Sequence, residues 1–302
     1  MISDQRPVAR ATALIVLSSC CFGSLTTLTL FLTRGGLPLL PAMFWRYMLA
    51  AAMLFVLVRP VLRTSIGRSQ AIRLMIVGGC GQAIITYFSL LALDYLPVGP
   101  LAFLFYTYPA WVALIAAVTG REELTLSKLI ALGVAMGGIA VMVGTPFSAS
   151  LDPIGVMIAL STAVLYALYL PALHKVQEGV APLVSTFYLV TGVFISFLIA
   201  GSITGRLEMP DTPSLWGFLL IISLLGTVVA FVALISGLRI LGPVRTSIMA
   251  TIEPFFTAML GIVVLREPFT MTTIAGGAMI ACAVLMLQWT GRDRPAVATL
   301  ES

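Results

Sequence analysis

The chain has 302 residues, 60% of them hydrophobic and 10% charged, and its 17 basic and 12 acidic side chains leave a net charge of +5. A soluble domain carries about a quarter charged residues, so these cannot cover a folded surface and hydrocarbon must solvate most of it. Disorder, a collagen-like fibre and a disulfide-stapled secreted fold are excluded, and the positive charge implies no nucleic-acid partner, because basic residues of membrane proteins gather on the cytoplasmic side.

A helix needs about 20 apolar residues to cross the hydrocarbon core. Reading from charge to charge gives ten such stretches, roughly 11–33, 38–58, 74–94, 97–119, 126–145, 153–173, 181–204, 213–236, 243–265 and 270–290. Turn chemistry marks the joints, as in Gly35-Gly36-Leu37-Pro38, Leu96-Pro97, Asp152-Pro153 and Gly242-Pro243. No joint is long enough for a soluble domain. With the N-terminus inside, twelve basic residues fall in cytoplasmic segments (among them Arg59, Arg63, Arg68 and Arg73) and three outside (Arg34, Arg206, Arg266), while Arg46 and Arg245 lie within spans. This bias places both termini in the cytoplasm, and the short loops and compact ten-span form point to an inner cell membrane, with a plastid or other eukaryotic membrane as the alternative.

Span 1 carries a second pattern. Arg6 and Arg10, an apolar run and Leu17-Ser18-Ser19-Cys20 have the form of a lipoprotein signal. Cleavage there would destroy the first span, so an uncleaved helix with small polar residues at its middle is the expectation. The four cysteines, Cys20, Cys21, Cys80 and Cys282, lie in apolar stretches without metal-site spacing, and His174 is the single histidine. It ends span 6 beside Lys175, a surface position that gives it no switch role. No metal, cofactor, nucleophile triad or phosphate-cradling loop is expected, and so no enzyme and no ATP-driven pump.

The two halves repeat one another. Leu96-Pro97-Val98 matches Leu241-Gly242-Pro243-Val244, and after that one-residue insertion an offset of 145 places Pro109 on Pro254 and Arg121-Glu122-x-Leu124-Thr125 on Arg266-Glu267-x-Phe269-Thr270. Five spans per copy is an odd number, so the second copy enters the membrane upside down. Inverted repeats of this kind build transporters that alternate access to a midplane site. The expected fold is an all-α integral membrane protein of ten transmembrane helices as two inverted five-helix repeats, 1–146 and 147–292, with a short cytoplasmic tail at 293–302.

Several motifs in this order resemble the EamA type of the drug/metabolite transporter superfamily: Phe22-Gly23-Ser24, Phe44-x-Arg46, Leu91-Ala92-Leu93-x-Tyr95 leading to Pro109, Glu122-x-Leu124-Thr125, Gly237-Leu238 leading to Glu253-Pro254, and Glu267-x-Phe269-Thr270 with Gly276. The likeness covers about 11–290. It implies a secondary transporter exporting small metabolites, with bacterial amino-acid exporters the nearest comparison. It also implies that spans 1, 3, 4, 6, 8 and 9 enclose the pathway. Spans 5 and 10 would then lie outside it, packing together or meeting a neighbour through Gly133-x-x-x-Gly137 and Gly276-Gly277. A monomer or weak homodimer in the lipid bilayer is expected.

Polar groups at membrane depth are costly and so are candidates for function. Glu253 is central in span 9, where it can exchange a proton, pair with a substrate ammonium, or only fix packing; Pro254 frees a carbonyl one turn earlier, near Ala250. Its counterpart in the first half is Tyr108, beside Pro109. Arg46 can bind a substrate carboxylate, snorkel to the outer interface, or pair with Glu267. Gln82 can contact substrate or hold helices together, with Tyr87 about 140° round the helix from it. Tyrosines lie too deep in spans 4 and 6 for interfacial anchors: Tyr106 and Tyr108, then Tyr166 and Tyr169. Trp111 shares a face with Tyr108, Tyr188 adds an aromatic from span 7, and Ser24 in span 1 can line water or allow close packing. The leading expectation is export of amino acids, aromatic and apolar ones included, by alternating access. Cationic drugs or nucleosides are the alternative substrates, and a receptor or scaffold without a through-path is the alternative class.

Overall fold

The structure, a computed structural model, describes residues 6–60, 66–96, 98–120, 124–143, 151–266 and 270–290. Among them every regular element is a helix. The chain order is α1 (Arg6–Arg34), α2 (Leu39–Val58), α3 (Arg68–Arg73), a π-helical stretch Leu74–Cys80, α4 (Gly81–Ala92), α5 (Val98–Phe105), α6 (Tyr108–Val118), α7 (Leu126–Val143), α8 (Pro153–Val176), α9 (Pro182–Thr204), α10 (Pro213–Ser223), a second π-helical stretch Leu224–Val229, α11 (Ala230–Ala250), α12 (Glu253–Leu265) and α13 (Met271–Thr290).

Local chemistry sets the boundaries. Proline opens α8, α9 and α10, where a missing N–H is no loss. Asp152 caps α8, its Oδ1 accepting from the Ile154 amide at 2.7 Å. Gly205, at φ 66°, ends α9 in the left-handed conformation that glycine adopts without strain. Gly242 (φ 74°, ψ 170°) turns the backbone sharply before Pro243 and divides the run named α11. That break matters for the membrane. Pro213–Ala250, 38 residues of mostly apolar sequence, would make about 57 Å of helix if unbroken, nearly twice a bilayer core. By length and composition seven helices can cross a membrane, this long one among them, and Leu126–Met142, Glu253–Leu265 and Met271–Leu287 are shorter apolar helices. The chain is a multi-pass membrane protein.

The two sequence halves do not pack as separate bodies. α1 lies on α11, where a Cβ on Gly237 would meet Ile15 and the Ala11 carbonyl. α2 packs on α9 through the stacked rings of Tyr47 and Phe197, 5.8 Å apart. The first π stretch crosses α9 with Gly79 against Gly192. α7 packs along α13, Gly138 against Gly276. Sequence spacing pointed to Gly133 and Gly137 for this seam. Gly137 does face Met279, but the tight crossing is one residue on, and nothing lies within 4 Å of a Cβ built on Gly133.

Candidate functional site

The break between α5 and α6 precedes Pro109, and the break between α11 and α12 precedes Pro254. Each proline removes the donor that the carbonyl four residues earlier would use, at Phe105 and Ala250. Helices end at those two residues. The corresponding positions Tyr108 and Glu253 open the next helices, α6 and α12.

Around these breaks the aromatic side chains of α5, α6 and α8 form one cluster. The rings of Tyr108 and Tyr166 meet edge to face at 4.7 Å. Phe105 touches Tyr166 at 5.6 Å, Tyr106 touches Tyr108 at 6.3 Å, and Tyr166 stacks on Tyr169 at 5.8 Å. Tyr106, Tyr108 and Tyr166 surround the Glu253 carboxyl, each close enough to feel its charge. Tyr106, Tyr108 and Tyr169 are buried, whereas Glu253, Phe105 and Tyr166 keep partial exposure. α1 closes against the same point. A Cβ on Gly23 would stand 3.0 Å from the Glu253 carbonyl oxygen, and Thr257 donates to the carbonyls of both Gly23 and Glu253 at 3.2 Å. Ser24 follows directly, its hydroxyl donating to Cys21 O at 2.7 Å within α1.

Two further bonds tie this centre to irregular backbone. The Tyr108 hydroxyl donates to Ser247 O at 3.4 Å, ahead of the α11–α12 break. The Tyr169 hydroxyl donates to Gly78 O at 3.1 Å, inside the first π-helical stretch. A π turn misaligns the helical ladder, and carbonyls so exposed at membrane depth need other donors.

The remaining candidates are placed elsewhere. Arg46 is buried and does not snorkel to the interface. Its Nε donates to Thr227 Oγ1 at 2.7 Å and its Nη2 to Gly226 O at 3.0 Å, both in the second π-helical stretch. Its guanidinium also sits 4.9 Å from the Tyr47 ring centroid. Glu267, its expected loop partner, lies outside the described residues, as do Glu122 and Arg121. Gln82 is half-buried and bonds within its own helix, to Thr86 at 3.4 Å, rather than across helices. Tyr87 is exposed and its ring meets Phe88, while Tyr188 packs on Phe187 beside Val184 and Leu74; neither ring joins the cluster. Trp111 is half-buried against the core one turn into α6. His174 is half-buried rather than a surface residue, with its Nδ1 enclosed and unbonded. Among the described residues no group of three His, Cys, Asp or Glu side chains converges as a metal site would require.

Sequence reading under-weighted Tyr106, whose position at mid-span was its available signal. It did not anticipate the π-helical stretches, for which the glycines at 78, 79 and 226 are the only local hint.

Comparison with known proteins follows the same division into halves. Residues 9–144 and 153–289 each match the EamA-like transporter family. An uncharacterized transporter of Archaeoglobus fulgidus is 25% identical over 274 residues, covering 91% of this chain and 94% of that protein. A solved crystal structure of a protein shares the fold, with a TM-score of 0.78 at 16% identity over 94% of this chain and 98% of the other.

Proposed function

The chain belongs to the EamA-like transporter family, and we propose that it is a secondary transporter exporting small metabolites, amino acids foremost, by alternating access. Ten crossings in two inverted halves, 1–146 and 147–292, supply the architecture, with both termini in the cytoplasm and an inner cell membrane as the setting. The observation that carries this reading is the meeting of Glu253 with Tyr106, Tyr108 and Tyr166 where two proline-broken helices face each other. Glu253 meets a substrate ammonium or a proton, and the tyrosine faces accept an aromatic or apolar side chain. The breaks at Pro109 and Pro254 occupy matched places in the two halves, so exchange of their conformations would open the centre to one side and then the other.

Energy comes from a solute or ion gradient. The test is counterflow in liposomes that hold only this protein, with a panel of labelled amino acids, with and without a pH gradient. Protein-dependent exchange supports the carrier, and stimulation by the gradient supports a proton at Glu253. Folded protein that exchanges none of the panel overturns the amino-acid reading.

A further inference from the structure

The formal charge at this centre is of one sign. Glu253 is a carboxyl. The faces of Tyr108 and Tyr166 carry the negative side of the ring quadrupole. The charges acting on Tyr106, Tyr108 and Tyr166 are those of Glu253 and of neighbouring tyrosines, with no basic side chain among them.

Basic groups at membrane depth are occupied or distant. Arg46 is held by Thr227 and Gly226. Arg239 donates to Val180 O at 3.3 Å. Arg245, eight residues before Glu253, is not among the charges acting on that carboxyl. A substrate carboxylate placed here would meet the like charge of Glu253 with no basic partner, which disfavours it. An ammonium would meet a carboxylate and aromatic faces, the surroundings in which organic cations bind.

Resting on the transporter reading above, we infer that the site reads the ammonium and the aromatic body of its substrate and does not read a carboxylate. Aromatic monoamines are then substrates alongside aromatic amino acids, and aromatic acids without an amine are excluded.

Three ligands of one shape separate the two ends: phenethylamine, L-phenylalanine and 3-phenylpropionate. Their binding is measured by calorimetry on the purified full-length protein, which avoids passive leakage of the amine. Phenethylamine is expected to bind at least as tightly as L-phenylalanine, and 3-phenylpropionate about tenfold or more weaker, the loss of one charge-assisted contact. Glu253→Gln is expected to weaken phenethylamine by a similar factor while the thermal transition is kept. If that variant does not fold, the ligand series on the unaltered protein still decides. Tight 3-phenylpropionate binding, or L-phenylalanine binding with no phenethylamine binding, overturns the inference and leaves the carrier standing. Binding of none of the three overturns the inference as well, and counterflow with other solutes then decides the carrier separately.

Discussion

Arg46 on α2 donates from Nη2 to the carbonyl of Gly226 at 3.0 Å, and Gly226 belongs to the π-helical stretch between α10 and α11. The contact runs both ways, since Ser223 donates back to Arg46 O at 2.9 Å. A buried guanidinium thus repairs the backbone of a neighbouring helix. The first half reaches the same end differently. Leu189, which stands near the place of Arg46 in the second half, packs on Gly78, and the hydroxyl of Tyr169 supplies the donor to Gly78 O. Arg46→Leu is therefore expected to strand buried acceptors and lower stability by about 1–3 kcal/mol. Arg46→Lys is expected to recover little, because an ammonium lacks the planar fork that spans Thr227 and Gly226. Thermal unfolding in detergent checks both; an unchanged transition for Arg46→Leu contradicts the account.

Tyr169→Phe keeps the ring stack on Tyr166 and removes one donor to Gly78 O. A loss of about 1 kcal/mol is expected, smaller than for Arg46→Leu. Equal or larger destabilisation in the same unfolding assay would show that the hydroxyl does more than satisfy one carbonyl.

The helix seam gives a contrast of neighbouring glycines. A Cβ on Gly138 would stand 2.7 Å from the Gly276 carbonyl oxygen, while Gly133 faces open space. Gly138→Ala must push α7 from α13 and is expected to cost about 1–3 kcal/mol. Gly133→Ala is expected to be neutral or slightly stabilising. Matching effects in the unfolding assay would mean the seam is misplaced.

Glu253→Gln removes the charge at the centre and keeps the side-chain shape. Counterflow of ammonium-bearing substrates is expected to fall about tenfold or more, and any stimulation by a pH gradient is expected to vanish. Exchange at the unaltered rate would assign Glu253 to packing with Tyr106 and Thr257 alone.

Much of this arrangement was legible in the sequence because hydrocarbon imposes strict rules. Apolar length located most of the helices, and Pro109 matches Pro254 across the halves, but apolar length alone makes 97–119 and 243–265 unbroken spans, whereas the structure breaks them at 106–107 and 251–252. Mid-span depth singled out Tyr108, Tyr166 and Glu253. Partner choice was not legible. The sequence of Arg46 does not say whether its long side chain turns to water or to another helix, and the structure turns it inward to Gly226. Tyr87 and Tyr188 have the composition of the cluster but point elsewhere, since helix rotation depends on packing against neighbours. The π-helical stretches are tertiary products. They arise where Gly79 meets Gly192 and where Gly226 meets Leu25, contacts remote in the chain.

The central claim is that the tyrosine and Glu253 centre opens to each side in turn. It is tested by placing a single cysteine at Ala110, half-buried beside Tyr108 and Pro109, after replacing Cys20, Cys21, Cys80 and Cys282. Membrane-impermeant thiol reagents are then applied to oriented vesicles from one face or the other. Labelling from both faces, with substrate changing the balance between them, is the predicted result. Labelling from one face only, unaltered by any substrate that binds, would contradict alternating access.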